Sequence, residues 1–272
     1  MAKTIGIIAI KGGVGKTTIA ASLAADLVNS YKKKVLLVDA NFSAPNLGLH
    51  MDIVEPKRTV HEVLNGKARI ESAIHEKFGV DVIPGSYVYH NIIDPLKLKS
   101  RLEKISQFYD FIVLDSSPSL SEEILSTIQA SDSLFVVTTP DYPTLSCSIK
   151  AAQLAKEQGR PIAGLIINKI QDPKYELTLK EIEKTLTIPV IARIPHDKNA
   201  VKALFTRIPL NIYNKKCSFA KEITKLNAAL TNRPVQVSFF HKLLPFTMPK
   251  EEVNRQVLKQ SFYNPVFKTK DG

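Results

Sequence analysis

Cysteines and long hydrophobic runs are scarce in this sequence. The chain of 272 residues has two cysteines, Cys147 and Cys217, which lie far apart and form no CxxC pair. This spacing argues against a zinc site, a redox pair or a disulfide framework. No run of about 18 apolar residues occurs, so the sequence predicts no membrane-spanning helix.

The sequence shows no internal repeat and no low-complexity linker. The first strand-like run begins within a few residues of Met1, which leaves no room for a signal peptide. We therefore expect a cytoplasmic protein. A chain of this length can bury a large core, and one α/β domain commonly reaches this size.

Acidic residues are fewer than basic residues in this sequence. Lysine and arginine number 37 against 26 aspartates and glutamates, which gives a net charge of +11. A positive surface can attract nucleic acid or an anionic leaflet. Lysine-rich turns are also common as plain solvated surface, so charge alone leaves both interpretations open. The candidate clusters are Lys32–Lys34, Lys97–Lys104 and Lys215–Lys216.

The most informative segment is the glycine-rich turn KGGVGKTT at 11–18, which lies between an apolar run at 5–10 and a helical pattern at 16–29. A strand, such a turn and a helix N-terminus together form a cradle for nucleotide phosphates, because successive N–H groups face the anion. Lys16 would contact the β- and γ-phosphates, Thr17 would bind Mg²⁺, and Thr18 would lie near the α-phosphate. The candidate nucleotide-binding residues of the turn are Lys11, Gly12, Gly13, Val14, Gly15, Lys16, Thr17 and Thr18.

Strand-like and helical patterns alternate along most of the chain. Strands are predicted near 5–10, 35–39, 80–83, 111–115, 133–138, 162–168 and 189–193. Helices are predicted near 16–29, 59–64, 95–106, 121–130, 144–158, 176–186, 198–205 and 217–231. This order predicts an α/β fold with a mostly parallel, twisted sheet covered by helices on both faces. The turn at 11–18, Asp39 and Asp115 then converge on one crevice, because all three follow or close strands.

The turn resembles the deviant Walker A loop of the MinD/ParA family of P-loop ATPases. Ile10 stands where the general pattern has glycine, and Lys11 precedes the glycines. Other segments resemble the family in the same order: VDANFSAPNLGL at 38–49, FIVLDSSPSL at 111–120, TPD at 139–141, IINK at 166–169 and IPHD at 194–197. The resemblance covers about residues 3–231. It implies a P-loop ATPase domain over 1–232, with ATP and Mg²⁺ as cofactors.

The resemblance also implies roles for individual residues. In the family, the early lysine, here Lys11, reaches into the partner subunit's nucleotide in a sandwich dimer. The candidate catalytic residues are Lys11, Lys16 and Asp39. Asp115 would hold Mg²⁺, because Thr17 offers the complementary ligand; a turn or helix-capping aspartate is the alternative.

Three further polar residues match family positions around the nucleotide. Asn168 would contact the adenine, Asp141 the partner's ribose, and Asp197 would lie near the base. An ordinary turn asparagine is the alternative for Asn168, and a helix N-cap is the alternative for Asp197.

Asn41 departs from the family, which usually has a second aspartate at this position. An amide oxygen can accept a hydrogen bond from water, but it carries no charge and cannot take a proton. Asp39 would then orient the attacking water alone, which predicts slow hydrolysis. A tolerated polar turn residue is the other interpretation of Asn41.

The leading hypothesis is an ATP-dependent dimerising switch that controls division-site placement, chromosome or plasmid partition, or another cellular assembly. It implies a homodimer in the ATP state and an activator protein. One alternative is a nucleotide-binding scaffold with negligible hydrolysis. Another is a metabolic enzyme or metallocluster carrier on the same scaffold, although the latter uses paired cysteines.

A tail at 233–272 follows the family domain. It has a Phe-rich strip at 237–248 and a stretch from Lys250 to Phe262, predicted as a short helix with Val253, Val257 and Leu258 on one side. MinD proteins bind membranes through a C-terminal amphipathic helix, but prolines interrupt this tail. Three interpretations stay open: peripheral binding to the inner face of the membrane, packing on its own domain, or docking on a partner protein.

Overall fold

The computed structural model describes residues 1–89, 91–172, 174–233 and 249–263. Within these ranges eight strands form one sheet. The strands are β1 Lys3–Ile8, β2 Val35–Ala40, β3 His75–Lys77, β4 Val80–Ile83, β5 Phe111–Ser116, β6 Ser133–Thr138, β7 Ile162–Ile170 and β8 Val190–Pro195.

The α-helices of the described ranges follow or precede these strands. They are α1 Lys16–Asn29, α2 Leu47–His50, α3 Val60–Leu64, α4 Leu98–Glu103, α5 Glu122–Ala130, α6 Tyr142–Glu157, α7 Leu179–Leu186, α8 Asn199–Phe205, α9 Leu210–Tyr213, α10 Ser218–Leu230 and α11 Lys250–Tyr263. Short 3₁₀ helices lie at Ile70–Ala73, Pro95–Lys97 and Ser106–Phe108.

The sheet is almost entirely parallel, as the alternating pattern predicts. The strand order is β3-β4-β2-β5-β1-β6-β7-β8, and only β3 runs antiparallel to its neighbour β4. In the sheet, β2 lies on one side of β1 and β6 lies on the other, so the strand order reverses at β1. Ligands of open α/β sheets bind at such a reversal, outside the carboxyl ends of the strands. The turn at 11–18 lies at this point.

Helices cover both faces of the sheet, which confirms the predicted fold class. Alternate residues of a strand point to opposite faces, and Val113 of β5 joins a core with α1 and α10, whereas Ile112 and Leu114 join a second core with α3 and α4. Leu134 and Val136 of β6 join a third core with α5, α6 and α7. Because both faces are buried, the strands read as continuous apolar runs.

The structure departs from the predicted elements in a few short segments. The helix predicted at 95–106 was wrong as a single element, since it divides into 3₁₀ helices around α4. The sequence pattern did not predict α2, α9 or β3. These elements span four, four and three residues, too few for a hydrophobic period to show.

The helix of the tail, α11, packs on β8 and α10. Asn254 Nδ2 donates to the carbonyl of Val190 at 2.8 Å, and Arg255 Nε donates to the carbonyl of Ile191 at 2.6 Å. Leu258 is buried in the same core as α1 and α10. The helix therefore covers the edge strand of the sheet, an edge that would otherwise be open to pairing.

The sequence pattern groups Val253, Val257 and Leu258 on one side of this helix and leaves open which side packs on the domain; of the three, only Leu258 is buried. Val253 and Val257 are exposed, whereas Glu251 and Arg255 are buried. Buried charge is tolerated here because Arg255 pairs with Glu222 and Arg193 pairs with Glu251. The Phe-rich strip at 237–248 lies outside the described residues.

Candidate nucleotide-binding site

The turn after β1 has the backbone conformation of an anion cradle. Gly13 and Gly15 have φ angles of 78° and 97°, in the left-handed region that favours glycine. The helix α1 then starts at Lys16 with no side chain capping its N-terminus and no acidic residue in its first turn. Its first N–H groups and the positive end of its dipole therefore face the crevice, ready for a phosphate.

A cavity of about 350 Å³ opens at this edge of the sheet. One end is formed by the turn and by residues that follow β2 and β5, and the other by the loops after β7 and β8. The lining residues include Gly12, Gly13, Gly15, Lys16, Thr17, Thr18, Asn41, Asn46, Ser116, Asn168, Pro195, Asp197, Val201 and Leu204. The topology thus brings most of the turn, Asn168 and Asp197 to one cavity, whereas Lys11, Asp39, Asp115 and Asp141 are not part of its lining.

Asp39 and Asp115 lie opposite each other on β2 and β5, and both are fully buried. Burial raises the pKa of both carboxyls, and the neighbouring Asp115 raises that of Asp39 further. Among the described residues, Asp115 Oδ1 and Oδ2 have no hydrogen-bond partner. A buried carboxyl group in this state is stabilised by a proton or by a bound cation. The nearby Lys16 and Thr17 hold down the pKa of Asp115 in part.

Mg²⁺ fits this arrangement. The ion prefers oxygen ligands and keeps several waters, so the Thr17 hydroxyl and the Asp115 carboxylate make a suitable protein contribution. The Thr17 hydroxyl donates to Asn46 Oδ1 at 3.0 Å. Its lone pairs therefore stay available for a metal. Sequence reasoning did not single out Asn46, because its partner is 29 residues away.

Asp39 organises residues 41–47, which we call the 41–47 segment. Its carboxylate accepts hydrogen bonds from the backbone N–H groups of Asn41, Asn46 and Leu47, each at 3.1 Å. Both ends of the segment are thereby fixed to the end of β2. Asp39 thus has a structural task in addition to the proposed catalytic one.

Asn41 combines features of both interpretations offered by the sequence. Its Nδ2 donates to the Ala44 carbonyl at 2.5 Å, as a turn asparagine does. Its Oδ1 is buried and has no partner within the described part of the chain, and the residue lines the cavity. This oxygen can accept a hydrogen bond from water, but it cannot take the proton.

The base end of the cavity contains Asn168, whose Nδ2 donates to the Val14 carbonyl at 2.7 Å. The amide therefore supports the phosphate loop, and Asn168 lines the same cavity as Pro195, Val201 and Leu204. Next to it, Lys169 Nζ donates to the Gly13 carbonyl at 2.7 Å. Sequence reasoning missed this contact, which no local pattern signals.

Asp197 lies at the cavity and accepts a hydrogen bond from the N–H of Asn199, the first residue of α8, at 2.8 Å. This contact is the N-terminal stabilisation of α8 that the sequence offers as an alternative role. Asp141 stabilises the start of α6 in the same way, through the N–H of Thr144 at 2.9 Å. Although burial opposes it, hydrogen bonds from Thr139 and Thr144 lower the pKa of Asp141, and Lys11 lowers it further. Lys11 is exposed at the same edge of the sheet.

Neither a cluster of metal-ligating side chains nor a membrane-spanning helix occurs in residues 1–89, 91–172, 174–233 and 249–263. In those ranges no three His, Cys, Asp or Glu side chains come together as ligands for a metal ion. Cys147 and Cys217 are free cysteines and form no disulfide. The same ranges contain no helix with the length and apolar character needed to cross a bilayer.

Comparison with known proteins agrees with this geometry. A family profile described as an AAA domain matches residues 2–157. An uncharacterised ATP-binding protein of Methanocaldococcus jannaschii is 35% identical over 233 residues, which cover 85% of this chain and 88% of that protein. The septum site-determining protein MinD of Thermotoga maritima is 29% identical, with coverage of 78% and 82%.

The fold is also similar to that of a solved MinD structure. MinD of Pyrococcus horikoshii, complexed with Mg-ADP, superposes with a TM-score of 0.79 at 28% identity and covers 84% of this chain and 95% of that one. The phosphate loop, the parallel sheet and these similarities lead to one conclusion: the chain belongs to the MinD/ParA family of P-loop ATPases.

Proposed function

We propose that this protein binds Mg-ATP, dimerises in the ATP state and acts as a slow ATPase switch that controls the position of another cellular assembly. One observation carries the proposal. The uncapped start of α1 and the buried Lys16 line one cavity. The buried carboxylate of Asp115, whose oxygens have no hydrogen-bond partner among the described residues, lies near Lys16. An anion and a divalent cation bound together satisfy all three.

The cavity has a place for each part of the nucleotide. The phosphates lie on the N–H groups at the start of α1, with the Lys16 ammonium on the β- and γ-phosphates. The base lies between Pro195 and the apolar Val201 and Leu204, where the Asn168 amide offers a donor and an acceptor to adenine. Mg²⁺, held by Thr17 and Asp115, would neutralise phosphate charge.

A second copy of the chain completes the proposed switch. Lys11, Leu120 and Tyr142 are exposed in the segments that follow β1, β5 and β6, the latter two at 56% and 73%. Large apolar side chains beside a charged site are typical of a surface that becomes buried in a complex. In the face-to-face dimer, Lys11 reaches the partner's nucleotide and Asp141 contacts its ribose.

The output of the switch is a change in what the dimer binds. An activator protein, non-specific DNA and the inner face of the membrane are the candidate partners, and the net charge of +11 suits the last two. Division-site placement, as in the MinD relatives, and chromosome or plasmid partition are the candidate processes. A cytoplasmic location follows from the need for ATP.

A nucleotide-bound scaffold with negligible hydrolysis is the second candidate function. Asn41 favours it, because the residue cannot accept a proton from the attacking water. In that case the dimer would persist once ATP is bound, with Asp39 occupied by backbone N–H groups.

Light scattering with ADP and with ATP tests the switch. We expect a mass near 30.2 kDa with ADP and twice that mass with ATP. Lys11→Ala should keep ADP binding and lose the ATP dimer, whereas Lys67→Ala, an exposed lysine outside the cavity lining, should behave like the parent. Phosphate release measured alone, with vesicles and with DNA then separates a slow ATPase from a scaffold. A monomer under both nucleotides would contradict the proposal.

A further inference from the structure

Glu123, a residue that no motif singles out, binds the 41–47 segment with both carboxylate oxygens. The Phe42 N–H donates to Oε2 at 3.1 Å, and the Ser43 hydroxyl donates to Oε1. Glu123 lies in the first turn of α5 and is buried. Its partners are about 80 residues away in the sequence. The start of α5, which follows β5 and Asp115, is thereby tied to the segment that follows β2.

The carbonyl group of Phe42 is bound as well, by His61 of α3. The Phe42 carbonyl lies 2.9 Å from His61 Nε2, and the Ser86 N–H donates to His61 Nδ1 at 3.0 Å. The second contact makes Nδ1 an acceptor, so Nε2 carries the proton and donates to Phe42. Both polar backbone groups of Phe42 are therefore bound, one by α5 and one by α3. Phe42 itself is buried, which anchors the middle of the segment.

This anchoring bears on the cavity because the flanking residues line it. Asn41 and Asn46 both face the cavity, and Asn46 accepts the Thr17 hydroxyl. Asp39 fixes the ends of the segment, and Glu123 fixes its middle. Because Asp39 and Glu123 together hold the segment at several points, Asn41 and Asn46 have little freedom to move away from the metal end of the cavity.

We propose that Glu123 is a positioning residue for the metal end of the nucleotide site and couples the start of α5 to the 41–47 segment. It acts through Phe42 and Ser43 on Asn41 and Asn46, and touches no nucleotide itself. The chain lacks the usual family carboxylate at position 41, and the Glu123 carboxylate fixes the segment in which the substitute amide lies. The part that concerns Mg²⁺ rests on the proposed function.

Stabilisation of α5 by a negative charge at its N-terminus is the competing explanation. Glu122 provides the matched control, because it lies in the same turn, carries the same charge and is exposed. Glu123→Gln keeps the size of the side chain and removes its charge, so the Phe42 N–H and the Ser43 hydroxyl exchange a carboxylate for a neutral amide, a weaker partner. Glu122→Gln removes the same charge from the helix N-terminus without touching the segment.

Hydrogen exchange of the nucleotide-free full chain tests the contact directly. We expect peptides covering 41–47 to exchange about tenfold faster in Glu123→Gln than in the parent, since a hydrogen bond to a charged group is lost. Glu122→Gln should match the parent. Ser43→Ala, at an exposed position, should give a smaller increase and guards against a folding failure of the first variant.

ADP affinity, measured with Mg²⁺ and with EDTA, tests the role at the metal end. We expect Glu123→Gln to weaken binding about tenfold with Mg²⁺ and less than about twofold with EDTA, in line with the loss of one charged hydrogen bond. Addition of Ser43→Ala to Glu123→Gln should give little further loss, because both changes break the same contact.

Two results would overturn the proposal. One is equal exchange at 41–47 in Glu123→Gln and Glu122→Gln. The other is an equal loss of ADP affinity with and without Mg²⁺, which would indicate general damage to the fold. If the parent binds no ADP at all, the proposed function fails, whereas the exchange comparison still decides whether Glu123 holds the segment.

Discussion

Gly15 and Asn168, which are far apart in the sequence, are in direct contact at the phosphate loop. A Cβ atom added to Gly15 would lie 2.4 Å from Asn168 Nδ2. The Asn168 amide occupies this space because it donates to the neighbouring carbonyl of Val14. The glycine is thus required both by its φ of 97° and by the side chain that faces it.

The first prediction is that Gly15→Ala abolishes nucleotide binding. The methyl group collides with Asn168, which must move away from Val14, and the loop loses its shape. We expect ADP affinity to fall at least about tenfold, as one lost hydrogen bond and the backbone strain of about 1–2 kcal/mol imply. Gly159→Ala is the matched control, because φ is 63° there and nothing lies within 4 Å of the added Cβ. Calorimetric titration with ADP measures both, and similar affinities in the two variants would contradict this account.

The second prediction concerns Asn41. Asn41→Asp supplies a carboxylate that can take a proton from the attacking water, so phosphate release should rise, by about tenfold or more if general-base catalysis becomes available. Asn91→Asp adds the same charge at an exposed position outside the cavity lining and should leave the rate unchanged. Equal steady-state rates for the parent and Asn41→Asp would rule out the view that the amide limits turnover.

The third prediction is that α11 stabilises the domain through buried polar contacts. Arg255 donates to the Ile191 carbonyl and pairs with Glu222, and it is buried. Arg255→Ala should lower the free energy of unfolding by about 1.5–3 kcal/mol, because the Ile191 carbonyl and the Glu222 carboxylate both lose a charged donor. Lys250→Ala, which removes an exposed lysine from Glu183, should lower it by less than about 1 kcal/mol. Urea unfolding distinguishes them, and equal effects would indicate that α11 contributes only weakly.

The fourth prediction is a loss of stability in mild acid. Burial lowers the pKa of His50 to about 4, from 6.5 in the unfolded chain, and burial also lowers the pKa of His61. Above pH 6.5 both states are neutral and stability is complete. As pH falls from 6.5 towards 4, the unfolded chain takes up protons first, so the free energy of unfolding decreases.

Urea unfolding at pH 7, 6 and 5 measures this effect. His50→Gln should flatten the decrease, since one proton-binding difference is removed. A slope in His50→Gln as steep as in the parent would show that His50 plays no part in it.

Much of the fold could be predicted because its signals are local. The continuous apolar strands, the alternation with helices and the glycine-rich turn place Lys16, Thr17, Asp39 and Asp115 at one edge by topology alone. The predicted bounds of α1 agree with the structure, and those of most other long elements agree within a few residues. Short elements such as α2 and β3 were missed, because three or four residues carry no period.

The sequence by itself determined the class of fold, the glycine-rich turn and the edge of the sheet at which Lys16, Thr17, Asp39 and Asp115 lie. Only the tertiary structure decided how the 41–47 segment is held, which side of α11 is buried and what Asn168 contacts. The physical reason is that these arrangements depend on single hydrogen bonds between residues far apart in the chain, such as Glu123 with Phe42 and Asn254 with Val190. No local sequence pattern indicates such a bond. Burial and backbone conformation, in contrast, are visible in the sequence as hydrophobic periodicity and as glycine positions within a short segment.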